Sequence, residues 1–307
     1  MKIQDPFHEG ELEVQHRLGL RTEAKQNSGV ITDSITKGAF RFIEQQRMVV
    51  LGSIDQDDNV WASVLVGEEG FMQATTEQLV TFDLSKTANN GHDPFWKNID
   101  SHPQAGMLVI ELATRRRLRI NGRIQRSSEQ QLVLEVRESY PNCPKYIQRR
   151  QVANNPPENP AAASQVLEGA ALGAPQQAII NKADTLFVAS THPERGVDAS
   201  HRGGKPGFVR GVDDRTLRIP DYTGNCLFNT LGNFAVNPRA GVVFIDFQTG
   251  AILQLTGHAE ILWDAGDPDD ETGGTERFWE LHIDRWLQIE NAHPLEWSFQ
   301  DSSPYNP

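Results

Sequence analysis

The chain has 307 residues, 38% hydrophobic and 23% charged, with a formal net charge of -12. That length makes two domains the expectation, and the acidic balance argues against broad binding to nucleic acid or anionic membranes, which needs a basic face. Its two cysteines, Cys143 and Cys226, form neither a disulfide framework nor a cysteine zinc site; with no apolar run long enough to span a bilayer and an acidic start unlike a signal peptide, a cytoplasmic location is expected.

The polar opening, FHEGELEVQHRLG, carries His8, Glu9, Glu11 and His16. These residues are metal-capable, but their spacing matches no established site, so no metal is expected. TDSITKGAFRFIEQQ predicts an amphipathic helix with Asp33 or Ser34 as N-cap and Ile35, Ala39, Phe42, Ile43 and Gln46 on one face. Strands follow at MVVLGSI, VWASVLV, GMLVIEL and RLRINGRIQ. The Pro-, Asn- and Ala-rich run Gln148–Ser164 reads as a linker. The expected division is a first domain at 1–150, a linker at 151–165 and a second domain at 166–307. Beyond it, PQQAIINKA reads as a helix, and TLFVAST, GVVFIDF and ILQLTGHAEIL as strands. Thr249-Gly250 marks a hairpin turn. ERFWELHIDRWLQIENAHPLEW carries Trp279, Trp286 and Trp297 and leaves helix or strand open.

The two halves repeat each other. LGSIDQDDNVWASVLVGEEGFM, from Leu51, aligns without a gap on VASTHPERGVDASHRGGKPGFV, from Val188. Ser53 falls on Ser190, Ser63 on Ser200, Gly67 on Gly204, Gly70 on Gly207 and Phe71 on Phe208. HPQAGMLVIELATRRRLRINGR, from His102, aligns on NPRAGVVFIDFQTGAILQLTGH, from Asn237, matching Gly106 to Gly241 and Gly122 to Gly257. Shared glycines in the same order make this a duplication. Each copy has one or two helices and about six short antiparallel strands, the spacing of a small barrel or sandwich.

The succession ASHRGGKPGF, IPDYTGNCLFNTLGN, NPRAGVVFIDF and LQLTGHAEI over Asp198–Ile261 resembles the pyridoxamine 5'-phosphate oxidase-like superfamily of FMN-binding split β-barrels. FHEGELEVQHRLG and NCPKYIQRR resemble its two-barrel bacterial branch. The resemblance implies a mainly β fold of two tandem Greek-key split barrels, an intrachain counterpart of the family's homodimers. It also implies FMN between the barrels and oxidoreductase chemistry with a small-molecule substrate or electron donor. Further association into a homodimer stays open. Because some two-barrel relatives bind haem, a haem protein with His192, His201 or His258 as axial ligand is the alternative. A barrel pair that has lost its flavin is another.

The resemblance makes Ser200 and Arg202 the first cofactor-binding candidates, then Lys205, Asn225 and Asn229, with Asp221, Tyr222, His201 and Arg117 behind them. Arg supplies a planar fork of donors for a phosphate and Lys a point charge. On a strand Ser200 and Arg202 share one face. A solvated turn whose cations offset Asp213 and Asp214 is the plain alternative for this stretch. Arg117 stands where the oxidases carry a flavin-contacting glutamine, and Arg119 shares its face, although a charged edge strand explains the run RRRLRINGR equally well. His201 is the only obvious proton carrier, and no catalytic residue is otherwise indicated. The family's Arg-Lys phosphate pair is missing from IPDYTGNCLFN, so pyridoxamine-phosphate oxidation itself is not expected. Opposite Lys205 and Arg202 the first half has Glu68 and Leu65, which predicts a single full phosphate cradle per chain.

Overall fold

A computed structural model describes residues 6–88, 91–153 and 165–307. Most of the expected linker therefore lies outside the described residues.

The first half forms a seven-stranded antiparallel sheet from β1 (Met48–Ile54), β2 (Val60–Val66), β3 (Met72–Thr76), β4 (Leu79–Asp83), β5 (Gln104–Glu111), β6 (Arg116–Ser128) and β7 (Gln131–Pro141). Its spatial order is β2-β1-β5-β6-β7-β4-β3. After β8 (Arg149–Val152) and β9 (Val166–Gly169), the second half contributes β10 (Thr185–His192), β11 (Gly196–Gly203), β12 (Arg210–Gly211) and β13 (Thr216–Pro220). It continues with β14 (Arg239–Ile245), β15 (Ile252–Leu262) and β16 (Phe278–Ile289). Their order, β11-β10-β14-β15-β16-β13-β12, is the first sheet strand for strand, with β9 added beside β16. The duplication read from the sequence is thus a duplicated split barrel. The C-terminal β17 (Trp297–Asp301) pairs with β8.

Alternation along the strands builds three cores. Val49 and Leu51 of β1, with Met107 and Val109 of β5, point into the first barrel. Leu186 and Val188 of β10, with Val242 and Phe244 of β14, point into the second. The intervening Met48, Val50, Leu108, Phe187, Ala189 and Val243 meet in a third cluster between the barrels. Buried on both faces, these strands read as nearly unbroken apolar runs, and every residue of β10 is buried.

The repeated glycines set how closely the barrels meet. A Cβ on Gly106 would lie 2.5 Å from the Asp198 carbonyl carbon, and one on Gly241 2.7 Å from the Val60 carbonyl oxygen. The same strand pair therefore touches backbone to backbone in both directions.

Helices are short: α1 (Glu9–Arg17), α2 (Arg21–Asn27), α3 (Phe40–Glu44), α4 (Phe95–Ser101), α5 (Ala174–Lys182) and α6 (Asn229–Val236). The expected helix from Asp33 begins later, at Phe40, after a 3₁₀ turn at Lys37–Ala39. Ile35 is buried in the barrel core, and its N–H bonds to the Glu77 carbonyl, which keeps this stretch extended. The C-terminal aromatic segment is a strand, with Trp279 and Trp286 in the second core. Helix α1 crosses to the second barrel. Gly10 packs so tightly on α6 that a Cβ there would reach the Gly232 oxygen at 2.1 Å, and Val14 joins the second core. Among the described residues, no helix is long and apolar enough to cross a membrane.

Candidate functional site

Where β6 of the first barrel faces β11 of the second, arginines gather from both. Arg117 and Arg119 leave β6 on the face opposite Leu118 and Ile120, which fill the first core. An Arg117 NH1 lies 3.1 Å from His201 Nδ1. Arg119 donates to Asp198 at 2.8 Å and to the Asn229 side-chain oxygen at 2.9 Å. Arg202 donates to Asp221 at 3.2 Å, and Arg277 grips the other Asp221 oxygen through two nitrogens at 3.2 and 3.1 Å. Tyr140 and Asn121 also donate to Asp198.

Four guanidiniums therefore surround two aspartates. Arg119 and Arg202 each have a carboxylate partner; among the described residues, the hydrogen bonds of the Arg117 side chain go only to His201. Burial, with the neighbouring charges of Arg119 and Arg202, lowers the Arg117 pKa to about 9. The Nε atoms of Arg117, Arg119 and Arg202 and the Nε2 of His201 are buried without a hydrogen-bond partner among the described residues. Unsatisfied buried donors at a surplus of positive charge fit an anionic group.

His201 is held neutral: burial and then the charges of Arg117 and Arg202 push its pKa well below the usual imidazole value. Because an arginine only donates, the His201 Nδ1 facing it accepts, and the proton resides on Nε2.

The remaining candidates divide. Asn229 bridges the cluster at the start of α6: its side-chain oxygen accepts from Arg119 and Tyr140, and its amide donates to Glu11 at 3.0 Å. Tyr222 stacks on Tyr146 with ring centroids 4.7 Å apart, and the Tyr146 hydroxyl donates to the Thr223 carbonyl. Ser200 is fully buried, with its Oγ 3.1 Å from Thr230 Oγ1, so it braces α6 and does not join the arginines. The Asn225 side chain accepts from Leu227 N and shapes its own loop. Lys205 is exposed at the turn.

Sequence reading missed Asp198, Tyr140 and Arg277, and it weighed Glu11 only as a metal ligand. Asp198 lies two residues before Ser200 on β11, and its strand phase is the one signal that could have found it. Glu11 arrives only because α1 crosses between barrels. Burial, together with Glu138 and Asp198, raises the Glu11 pKa to about 8; burial and Asp198 raise that of Glu138 to about 7.

His8, Glu9 and His192 do come together, with ligand atoms within 4.8 Å of one another. His8 Nδ1 accepts from Gly10 N, and His192 Nδ1 from the Glu194 and Arg195 amides. Each Nε2 then carries hydrogen and offers no lone pair to a metal.

A split barrel present twice, with a cationic cluster where the copies meet, defines a fused two-barrel protein. The pyridoxamine 5'-phosphate oxidase family model matches residues 35–160 and again 173–290, and the chain belongs to that family. No curated protein matches it. Solved structures similar to it include HupZ of Group A Streptococcus, at 18% identity and TM-score 0.31, covering 38% of this chain and 91% of that one. A putative pyridoxamine 5'-phosphate oxidase from Lactobacillus delbrueckii is similar at 16% identity and TM-score 0.30, covering 38% and 94%. HutZ from Vibrio cholerae, described as a haem storage protein, is similar at 13% identity and TM-score 0.30, also covering 38% and 94%.

Proposed function

We propose that this protein binds one FMN per chain in the cleft between its barrels and acts as a flavin-dependent oxidoreductase on a small molecule. The observation that carries this reading is the surplus of guanidinium over carboxylate around Arg117, with buried Nε donors left unpaired. That excess of positive charge matches a phosphate anion. Arg117 and Arg119 would reach it from the first barrel and Arg202 from the second. Asp221 and Arg277 hold Arg202 in place, and Asn229 ties α6 to the cluster. The neutral His201 presents Nε2–H as a hydrogen-bond donor to the ring or phosphate. When bound, the isoalloxazine supplies the hydride or electron transfer. The chain's own residues anchor the phosphate, orient the ring and exclude water.

The test is the visible spectrum of freshly purified protein, before and after added FMN, with the bound species released and identified. Flavin bands are expected, and Arg117→Ala should weaken FMN binding about 10- to 100-fold, the scale of one or two charge-assisted hydrogen bonds. A colourless protein that ignores FMN removes this reading. A Soret band would transfer it to haem.

A further inference from the structure

Strands β15, β16 and β13 lie side by side in the second barrel. Ala259, Leu281 and Leu217 point from them into the core, so the residues between face outward. On that outer face the ladders set Glu260 opposite Glu280, Glu280 opposite Arg218, and His282 opposite Thr216. Like charges directly opposite each other weaken a strand pair. Arg218 answers one of the two carboxylates: its Nε and Nη2 lie 2.9 and 2.7 Å from Glu280, and both bonds fall on Oε1. Among the described residues the ion pair of Glu260 is with His282 Nε2, at 3.4 Å. Glu260, Glu280 and His282 thus each offer a ligand atom, and these atoms lie within 4.8 Å of one another.

The imidazole can turn its lone pair to the carboxylates. His282 Nδ1 lies 3.4 Å from Thr216 Oγ1. Hydrogen bonds from the Arg215 amide and then from the Thr216 hydroxyl hold the Asp213 pKa below its usual value. With its own hydrogen directed to Asp213, Thr216 Oγ1 is free to accept from His282 Nδ1, which leaves Nε2 unprotonated. Metal-bound histidines are fixed in this way through their other nitrogen. Here the outer face differs from the pair His8 and His192, whose Nδ1 atoms meet backbone amides that can only donate. The first barrel lacks the set: its ladder puts Gln125, Val133 and Glu135 at the corresponding places. His258 is turned to Asp284, at 3.1 Å, and stays outside it.

We propose that Glu260, Glu280 and His282 form a zinc site on the outer face of the second barrel, one per chain, with water completing the coordination. Zinc takes imidazole nitrogen and carboxylate oxygen at about 2.0–2.2 Å. The Glu260 side chain, 64% exposed, is free to close that distance. Arg218 keeps Glu280 Oε1 and leaves Oε2 to the metal. The ion joins β15 to β16 and relieves the repulsion between the two glutamates. This inference does not rest on the flavin reading.

The test titrates metal-stripped full-length protein with Zn²⁺ in competition with a chromogenic chelator, with Mg²⁺ as the comparison. One Zn²⁺ per chain is expected, with Mg²⁺ weaker by about 100-fold or more, since Mg²⁺ prefers an all-oxygen shell. His282→Ala should weaken Zn²⁺ by about 100-fold, and Thr216→Val by about tenfold, the scale of a lost outer partner. Glu260→Gln, at an exposed side chain that folding does not need, should also weaken it by about tenfold or more. Zn²⁺ should raise the thermal unfolding midpoint of the wild type but not of His282→Ala. FMN binding should be the same in both. Absence of stoichiometric Zn²⁺ binding, equal binding of Mg²⁺, or Zn²⁺ binding untouched by His282→Ala and Glu260→Gln would overturn the proposal. So would loss of Zn²⁺ in Glu9→Gln alone, which would move the metal to the His8 and His192 pair.

Discussion

The two barrels face each other twice, and the two meetings have opposite characters. In the cluster already described, Arg117, Arg119, Arg202 and Arg277 surround Asp198 and Asp221. At the positions that the strand ladders and turns make equivalent, the other meeting has Ile252, Gln254, Leu65 and Gln130 around Trp61 and Leu84. Every guanidinium has a neutral counterpart. In place of the cluster, the carboxylate of Asp93 accepts from Ser63 at 2.6 Å, from the Phe95 amide at 2.9 Å and from Gln254 at 3.3 Å. The scaffold did not diverge with the charges. Asn98 donates to Ser53 at 3.0 Å in the first copy, and Asn233 to Ser190 at 2.9 Å in the second. Backbone contacts and helix anchors are present in both copies, whereas the cluster of arginines is present at one meeting only.

The largest test of this contrast exchanges one residue for its counterpart. Arg119→Gln leaves Asp198, only 3% exposed, without its cation. A loss of about 3–5 kcal/mol in urea unfolding is expected, as when a buried ion pair loses one partner. A loss below about 1 kcal/mol would show that Tyr140 and Asn121 suffice and that the arginine is free for other work.

Next in size are Gly106→Ala and Gly241→Ala. Each drives a methyl group into the facing backbone, and each should cost about 1–3 kcal/mol, by similar amounts. Damage at only one of them would mean that the close approach is not shared.

The smallest effect concerns pH. Burial raises the Asp93 pKa from 3.8 to about 6. The folded state therefore holds this proton more tightly than the unfolded chain, and stability declines as pH rises from the unfolded to the folded value. Asp93→Asn should flatten that decline and, at pH 7, match or exceed the wild type by about 1 kcal/mol in thermal unfolding. An unchanged pH profile would assign the decline to other groups, Glu11 and Glu138 first.

Much of this architecture was legible beforehand because it is local or repeated. Val49, Leu51, Val188 and Val242 alternate with residues that are also apolar, the mark of a strand buried on both sides. The paired glycines declared the duplication, since a backbone that must approach another excludes a side chain wherever it recurs. The run from Ala199 to Gly204 located β11, and Arg117 was singled out on the facing strand. Phase alone did not give the partners of Ser200 and Arg202: α6 brings Thr230 to the serine, and Arg202 reaches Asp221.

By itself, then, the sequence determined that two copies of one barrel exist, where β1, β2, β5, β6, β10, β14 and β15 run and that the charges of the copies differ, because periodicity and repetition are properties of neighbouring residues. Tertiary structure alone decided that Arg119 meets Asp198, that α1 carries Glu11 across to Asn229 of the second barrel, and that Ser200 meets Thr230 of α6. Those outcomes depend on which surfaces pack against which. Close packing and pairing of buried charge are set by residues far apart in the chain.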